Sequence, residues 1–202
     1  MKNVAANPVT AFNAVSRQPS ISGTAFVHPM ACVIGDVIIG AHVMVAPLAS
    51  VRADEGTPFH IGAGSNVQDG VIMHALESTG DHLEANTYEV HGKRYAIYVG
   101  ERVSLAHQCQ IHGPALVEDD CFIGMQAFVF RSRVGRGSVI EPGARLMGVE
   151  VPAGRYVEAG RTVSTQGEAD DLRPIDEGYP LKALNAEVVR VNCELARAYR
   201  EG

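Results

Sequence analysis

The 202-residue chain has no Trp, and aromatic residues make up only 6% of it. A thick globular core normally draws its bulk from aromatic rings. Their scarcity argues instead for a narrow core filled by Val, Ile, Leu and Ala. Runs of Lys or Arg are also missing, and a net charge of −6 gives a nucleic-acid role no electrostatic support. No apolar stretch is long enough to span a bilayer. Residues 1–20 lack the continuous apolar segment of a secretion signal, which leaves cytoplasmic and exported locations both open. The four cysteines (Cys32, Cys109, Cys121, Cys193) have no CxxC spacing and are too sparse for a disulfide scaffold. They are expected to be small buried hydrophobes.

What the chain does have is Gly, 21 in all, and a six-residue beat. An aliphatic residue recurs at Val27, Val33, Ile39, Val45 and Val51, then after four extra residues at Ile61, Val67 and Met73. A long excursion covers about residues 77–96. The beat resumes at Val99, Leu105, Ile111, Val117, Ile123 and Val129, drops one residue before Val134, and continues through Ile140 and Leu146, with Val157 and Val163 as a last echo. Several units read aliphatic-Gly, as at Ile34-Gly and Ile39-Gly. A fixed short period means a solenoid, each unit being a short strand and a turn. The turn positions are expected to carry Gly, Asp and Asn. A sandwich of short strands is the competing architecture, but it does not call for strict spacing over so many units. The period resembles that of hexapeptide-repeat proteins, and that resemblance implies a left-handed parallel β-helix. The general crossover rule favours the opposite hand.

The tail changes period. Leu181, Leu184, Val188, Val191, Leu195 and Tyr199 follow an i, i+3, i+4 pattern, the mark of an amphipathic helix. Pro180 suits its first turn. The expected organisation is therefore an N-terminal arm over 1–22, an all-β solenoid over 23–172 with the excursion at 77–96, and a connection and C-terminal α-helix over 173–202. That helix should pack along the solenoid.

The beat also says which side chains stack. Each unit takes one of three faces in rotation, and insertions loop out without adding a face. Val51, Met73 and Ile111 then share a face in consecutive coils, and each is followed by a polar residue at the same phase: Arg52, His74 and His112. Adjacent coils are about 4.8 Å apart, so two imidazoles there can share one metal ion. Val67 and Leu105 share the preceding face, which stacks Asp69 with His107. His107 cannot easily join the other two within one chain. A neighbouring subunit could supply it, and a trimer is the natural match to a three-faced solenoid. His28, His42 and His60 have no such register and are expected to serve the surface or internal hydrogen bonds.

With these residues in place, four segments become specific. They are Val51-Arg-Ala-Asp-Glu-Gly-Thr-Pro, Asn66-Val-Gln-Asp-Gly-Val-Ile-Met-His, Ser104-Leu-Ala-His-Gln-Cys-Gln-Ile-His-Gly-Pro and Phe122-Ile-Gly-Met-Gln-Ala-Phe-Val-Phe. Together they resemble the γ-class carbonic anhydrases of archaeal type, from about residue 25 into the C-terminal helix. The resemblance implies reversible hydration of carbon dioxide to bicarbonate by metal-bound hydroxide, in a homotrimer with intersubunit metal sites. It implies zinc, with iron or cobalt as alternatives, held by His74, His107 and His112. It also implies that Gln68 bonds the metal-bound water, Asn192 orients substrate, Glu55 lies beside the hydroxide and Glu77 shuttles the proton. Arg52, Asp54 and Asp69 would form an ion-pair network joining subunits. One departure is Arg190, which stands where the archaeal-type member it most resembles has a Tyr two residues before the helix asparagine. A second is an excursion with fewer acidic residues, which offers His82 and His91 as auxiliary proton carriers. Glu77 opens this excursion, expected as a loop free to swing. A hexapeptide-repeat acyltransferase and a non-catalytic assembly subunit are the alternative readings.

Overall fold

The computed structural model describes residues 3–202; Met1 and Lys2, the start of the expected arm, lie outside the described residues. Successive strands take three sheets in rotation. Among the described residues the first sheet has eight parallel strands and the second and third have seven each. The chain is a parallel-strand β-solenoid of about eight turns with a C-terminal helix, the architecture of a left-handed β-helix of hexapeptide repeats.

The beat residues meet coil on coil. Met73 pairs with Val51 and Ile111 on the first sheet, Val99 with Ile61 and Val117 on the second, and Leu105 with Val67 and Ile123 on the third. The insertion before Ile61 and the excursion after Met73 therefore leave the rotation of faces intact. The core is mostly aliphatic, and Phe59 is the one fully buried aromatic ring among the described residues.

The aliphatic-Gly units have a steric cause. A Cβ on Gly62 would lie 2.4 Å from both the carbonyl carbon and the oxygen of Gly100 in the next coil, so the stacked backbones leave no room for one. The turns depart from the expected Gly, Asp and Asn. One corner has positive φ at Leu48, Gly70, Gln108, Gln126, Gly143 and Gly160, three of them not glycine. A left-handed backbone costs a non-glycine residue roughly 1–2 kcal/mol. The stacked coils hold it there: Gln108 N donates to Asp69 O at 2.9 Å, and Gln126 N to His107 O at 3.1 Å.

The N-terminal segment is tied to the solenoid. Val4–Ala5 pairs with Val33–Ile34 on the first sheet, and Ser20–Ile21 with Ile38–Ile39 on the second. Ile21 stands one unit before Val27 and so extends the beat, whereas Val4–Ala5 reaches the first sheet across an irregular loop that carries none. The helix spans Leu184–Glu201, so Pro180 lies in the turn before it, not in its first turn. The expected stripe also divides. Leu181, Leu184 and Val188 pack on Ala106, Phe122 and Val139, whereas Val191, Leu195 and Tyr199 remain exposed. A short helix, Gln166–Asp170, precedes it behind a capping box between Thr165 and Glu168.

The excursion is folded, which corrects the expectation of a loop free to swing. Tyr88–Val90 and Lys93–Tyr95 form an antiparallel hairpin. At its base, Ser78 and Asn86 are buried. The Ser78 hydroxyl lies 2.8 Å from Thr57 N and Thr57 O, and Asn86 Nδ2 donates to Glu77 O at 2.6 Å.

All four cysteines are free, but only Cys109 and Cys121 are buried; Cys32 and Cys193 are partly accessible. Burial pushes the Cys121 thiol from 9.0 up to about 12 and the Cys109 thiol higher still. Both pKa values are raised by folding, so the protonated thiols favour the native state. Their contribution is fully present below pH 9 and is lost as pH rises from 9 toward 12. The stability of the native protein in denaturant should accordingly fall over this window. The Cys109→Ala/Cys121→Ala double variant should show a shallower fall, measured from urea melts at each pH.

Candidate metal centre

The strands Ser50–Ala53, Ile72–Ala75 and Gln110–Gly113 lie side by side on the first sheet and place His74 directly opposite His112. The two rings are 5.6 Å apart at 72°. His112 Nδ1 lies 3.1 Å from Gly113 O. A carbonyl only accepts, so in the neutral ring Nδ1 carries the hydrogen and Nε2 keeps its lone pair. Around His74 Nε2 stand Asp54 Oδ1 at 3.3 Å, Glu55 Oε2 at 3.7 Å and Arg52 Nη2 at 3.5 Å. Arg52 Nε also donates to Asp54 Oδ2 at 3.0 Å. Glu55 and Glu77 line a cavity of about 370 Å³ with His82, Asn86 and Arg131. His91 sits at the tip of the hairpin, in its turn.

A second group lies at the corner between the third and first sheets. His107 Nδ1 is 3.1 Å from Asp69 Oδ2, both side chains more than half exposed. The carboxylate accepts from Nδ1 and so leaves Nε2 as the donor atom for a metal, a common way of orienting a ligating imidazole. Gln68, Asp69, His107, Arg190 and Asn192 line a groove of about 1050 Å³ between the solenoid and the C-terminal helix. Gln68 Nε2 donates to Asn66 Oδ1 at 2.9 Å, and Asn66 Nδ2 to the Ser104 hydroxyl at 3.0 Å. This buried ladder fixes the amide of Gln68 and leaves its Oε1 as an acceptor for the groove. Asn192 Nδ2 bonds back to Val188 O at 2.9 Å, and Arg190 faces Glu194 at 3.7 Å.

Sequence reasoning overlooked Asn66, Ser104, Thr79 and Arg131. A signal existed for the first two. Their partners at the same phase of the third sheet are Phe26, Met44, Phe122 and Val139, so two polar residues stand out in an apolar row. His60 is accounted for without a ligand: it stacks on Tyr98 at 4.6 Å, its Nδ1 lies 3.1 Å from Val99 O, and burial lowers its pKa.

The candidate residues of one chain thus fall into two groups. Arg52, Asp54, Glu55, His74, Glu77 and His112 gather on one side, and Gln68, Asp69, His107 and Asn192 on the other. Among the described residues of a single chain, no group of three His, Cys, Asp or Glu side chains could hold a metal ion. Two of the three imidazoles nonetheless suit one: His107 and His112 each engage Nδ1 with an acceptor and leave Nε2 free, whereas the carboxylates near His74 stand at its Nε2.

A hexapeptide-repeat β-helix with histidines opposed across adjacent coils defines the class. No family model matches the chain. It is 52% identical to the carbonic anhydrase of Methanosarcina thermophila over 98% of its own length and 82% of that protein's. It is 43% identical to the carboxysome assembly protein CcmM of Nostoc sp. over 86% of its own length but only 31% of that protein's. The crystal structure of a candidate acetyltransferase from Bacillus cereus superposes with a TM-score of 0.57, covering 98% of each chain at 21% identity, a likeness of fold alone. The chain belongs to the γ-class carbonic anhydrase family.

Proposed function

We propose that the protein interconverts carbon dioxide and bicarbonate at a metal ion held by His74 and His112 of one subunit and His107 of the next, in a homotrimer. The observation that carries the activity is 52% identity to a carbonic anhydrase across nearly the whole chain. The division of the candidate ligands between two sides of one chain supports the shared site.

Zinc, or iron or cobalt in its place, would act when bound as a Lewis acid that lowers the pKa of water to about 7. Asp69 and the Gly113 carbonyl hold the His107 and His112 rings in the required tautomer. Gln68, fixed by Asn66, and Asn192 supply amides that orient substrate from the groove side. Glu55, beside His74, would accept the proton that water gives up in forming the hydroxide, and Glu77 would carry it outward through the cavity they share. Asp54 and Arg52 keep the His74 strand edge charged and ordered. Arg190, with Glu194, makes one wall of the groove polar.

Two measurements test this reading together: metal content of anaerobically purified protein and its rate of carbon dioxide hydration. Stoichiometric metal without hydration would favour the assembly role suggested by the likeness to CcmM. Acyl-CoA binding without metal would favour the acyltransferase reading. The shuttle has its own test. Glu77→Ala should slow turnover by roughly 10²-fold in weak buffer, and small external bases should restore much of it. A rate independent of buffer would remove Glu77 from that role.

A further inference from the structure

The N-terminal loop lies beside the cavity that holds Glu55 and Glu77, bonded to a neighbour of each carboxylate. Thr10–Asn13 is a tight turn, with Thr10 N donating to Asn13 O and Asn13 N to the Thr10 hydroxyl, each at 3.0 Å. Asn13 is buried, and its Nδ2 donates to Asp54 O at 3.3 Å, next to Glu55. On the other side the Thr79 hydroxyl lies 2.8 Å from Phe12 O and 3.1 Å from Glu77 Oε1. The loop is itself anchored. Asn7 is buried, its Nδ2 donates to Pro8 O and Val15 O, and its Oδ1 accepts from Arg17 N. Phe12 O is therefore an acceptor in a fixed place.

A hydroxyl has one hydrogen to donate, and here two acceptors compete for it. We propose that Thr79 is a positioning residue for proton export, linking the Glu77 carboxyl to the N-terminal loop; this rests on the functional reading above. When Glu77 is a carboxylate, the Thr79 hydrogen turns to Oε1. When Glu77 takes up a proton, its O–H donates to Thr79 Oγ1, and the Thr79 hydrogen turns to Phe12 O. Only one O–H bond forms at Glu77, and a rotation at Thr79 does the rest. The carboxyl thus keeps a partner in both states and stays at the cavity, among Glu55, His82, Asn86 and Arg131. The segment that precedes the regular repeat becomes part of the proton path.

The test is loss of ¹⁸O label from carbon dioxide at chemical equilibrium, which reports interconversion and proton-dependent release of water as separate rates. Thr79→Val should leave interconversion unchanged and slow the proton-dependent rate by roughly two- to tenfold. Thr79→Ser, which keeps the hydroxyl, should retain the wild-type rate. Amide hydrogen exchange over residues 9–13, followed in metal-free protein, should quicken in Thr79→Val and not in Thr79→Ser. A wild-type proton-dependent rate in Thr79→Val, or an equal loss in both variants, would overturn the proposal alone. Absence of label loss in the unaltered protein would overturn the functional reading and the proposal with it.

Discussion

Replacing His112 by Ala should abolish carbon dioxide hydration and metal retention while the solenoid remains folded. His112 projects from the first sheet opposite His74, and its aliphatic neighbour Ile111, not the imidazole, fills the core. The fold therefore loses little; substitutions away from the core usually shift stability by about ±0.5 kcal/mol. The proposed site loses one of its three nitrogen donors. Removing a partner that merely orients a ligand costs about 10–100-fold in affinity or activity, and removal of the ligand itself should exceed that. Asp69→Asn supplies the comparison. It keeps an acceptor oxygen near His107 Nδ1 but removes the charge, so its loss should fall within the smaller range. Metal content by elemental analysis, hydration rate and a circular dichroism spectrum check the set. Full activity in His112→Ala would remove it from the site.

The largest expected effect on stability lies at Phe59. Its ring is fully buried in the second sheet, in register with Val37 and Ile97, in a core made mostly of aliphatic side chains. Phe59→Ala should cost ~3–5 kcal/mol, the transfer energy of the ring plus the cavity it leaves. Rigid coils stacked above and below limit relaxation into that space. Phe59→Leu keeps most of the volume and should cost less than about 1.5 kcal/mol. Urea melts with an unchanged slope and a lowered midpoint would show this. A midpoint in Phe59→Ala close to that of the unaltered protein would mean that the coil collapses around the missing ring.

The solenoid was legible because one aliphatic residue in six must point inward, and that count survives insertions that leave from a corner and return to it. The pairing of His74 with His112 followed from the same arithmetic, as did the placement of Asp69 beside His107. What the beat does not encode was harder to read. Val4–Ala5 joins the first sheet across an irregular loop with no beat of its own. The hairpin at 88–95 is held by its own antiparallel pairs around His91 and Gly92, a local signal inside what reads as an interruption. The split of the helix face, with Val191, Leu195 and Tyr199 left exposed, depends on where the helix crosses the third sheet, which no single-helix pattern contains. The reach of Phe12 to Thr79 spans 67 residues with no matching motif in either segment.

That division of residues between two sides of the chain allows a direct test of the shared metal site. His107→Ala and His112→Ala chains, each inactive alone, can be co-expressed so that they assemble together. In a trimer built as proposed, a His107→Ala chain contributes intact His74 and His112, and a neighbouring His112→Ala chain contributes His107. With equal amounts, half of the first partners and half of the second are suitable, so about a quarter of the sites should be complete. The expected result is recovery of about a quarter of the normal hydration rate and of the bound metal. No recovery in hybrid oligomers shown to contain both chains would contradict a site shared between subunits.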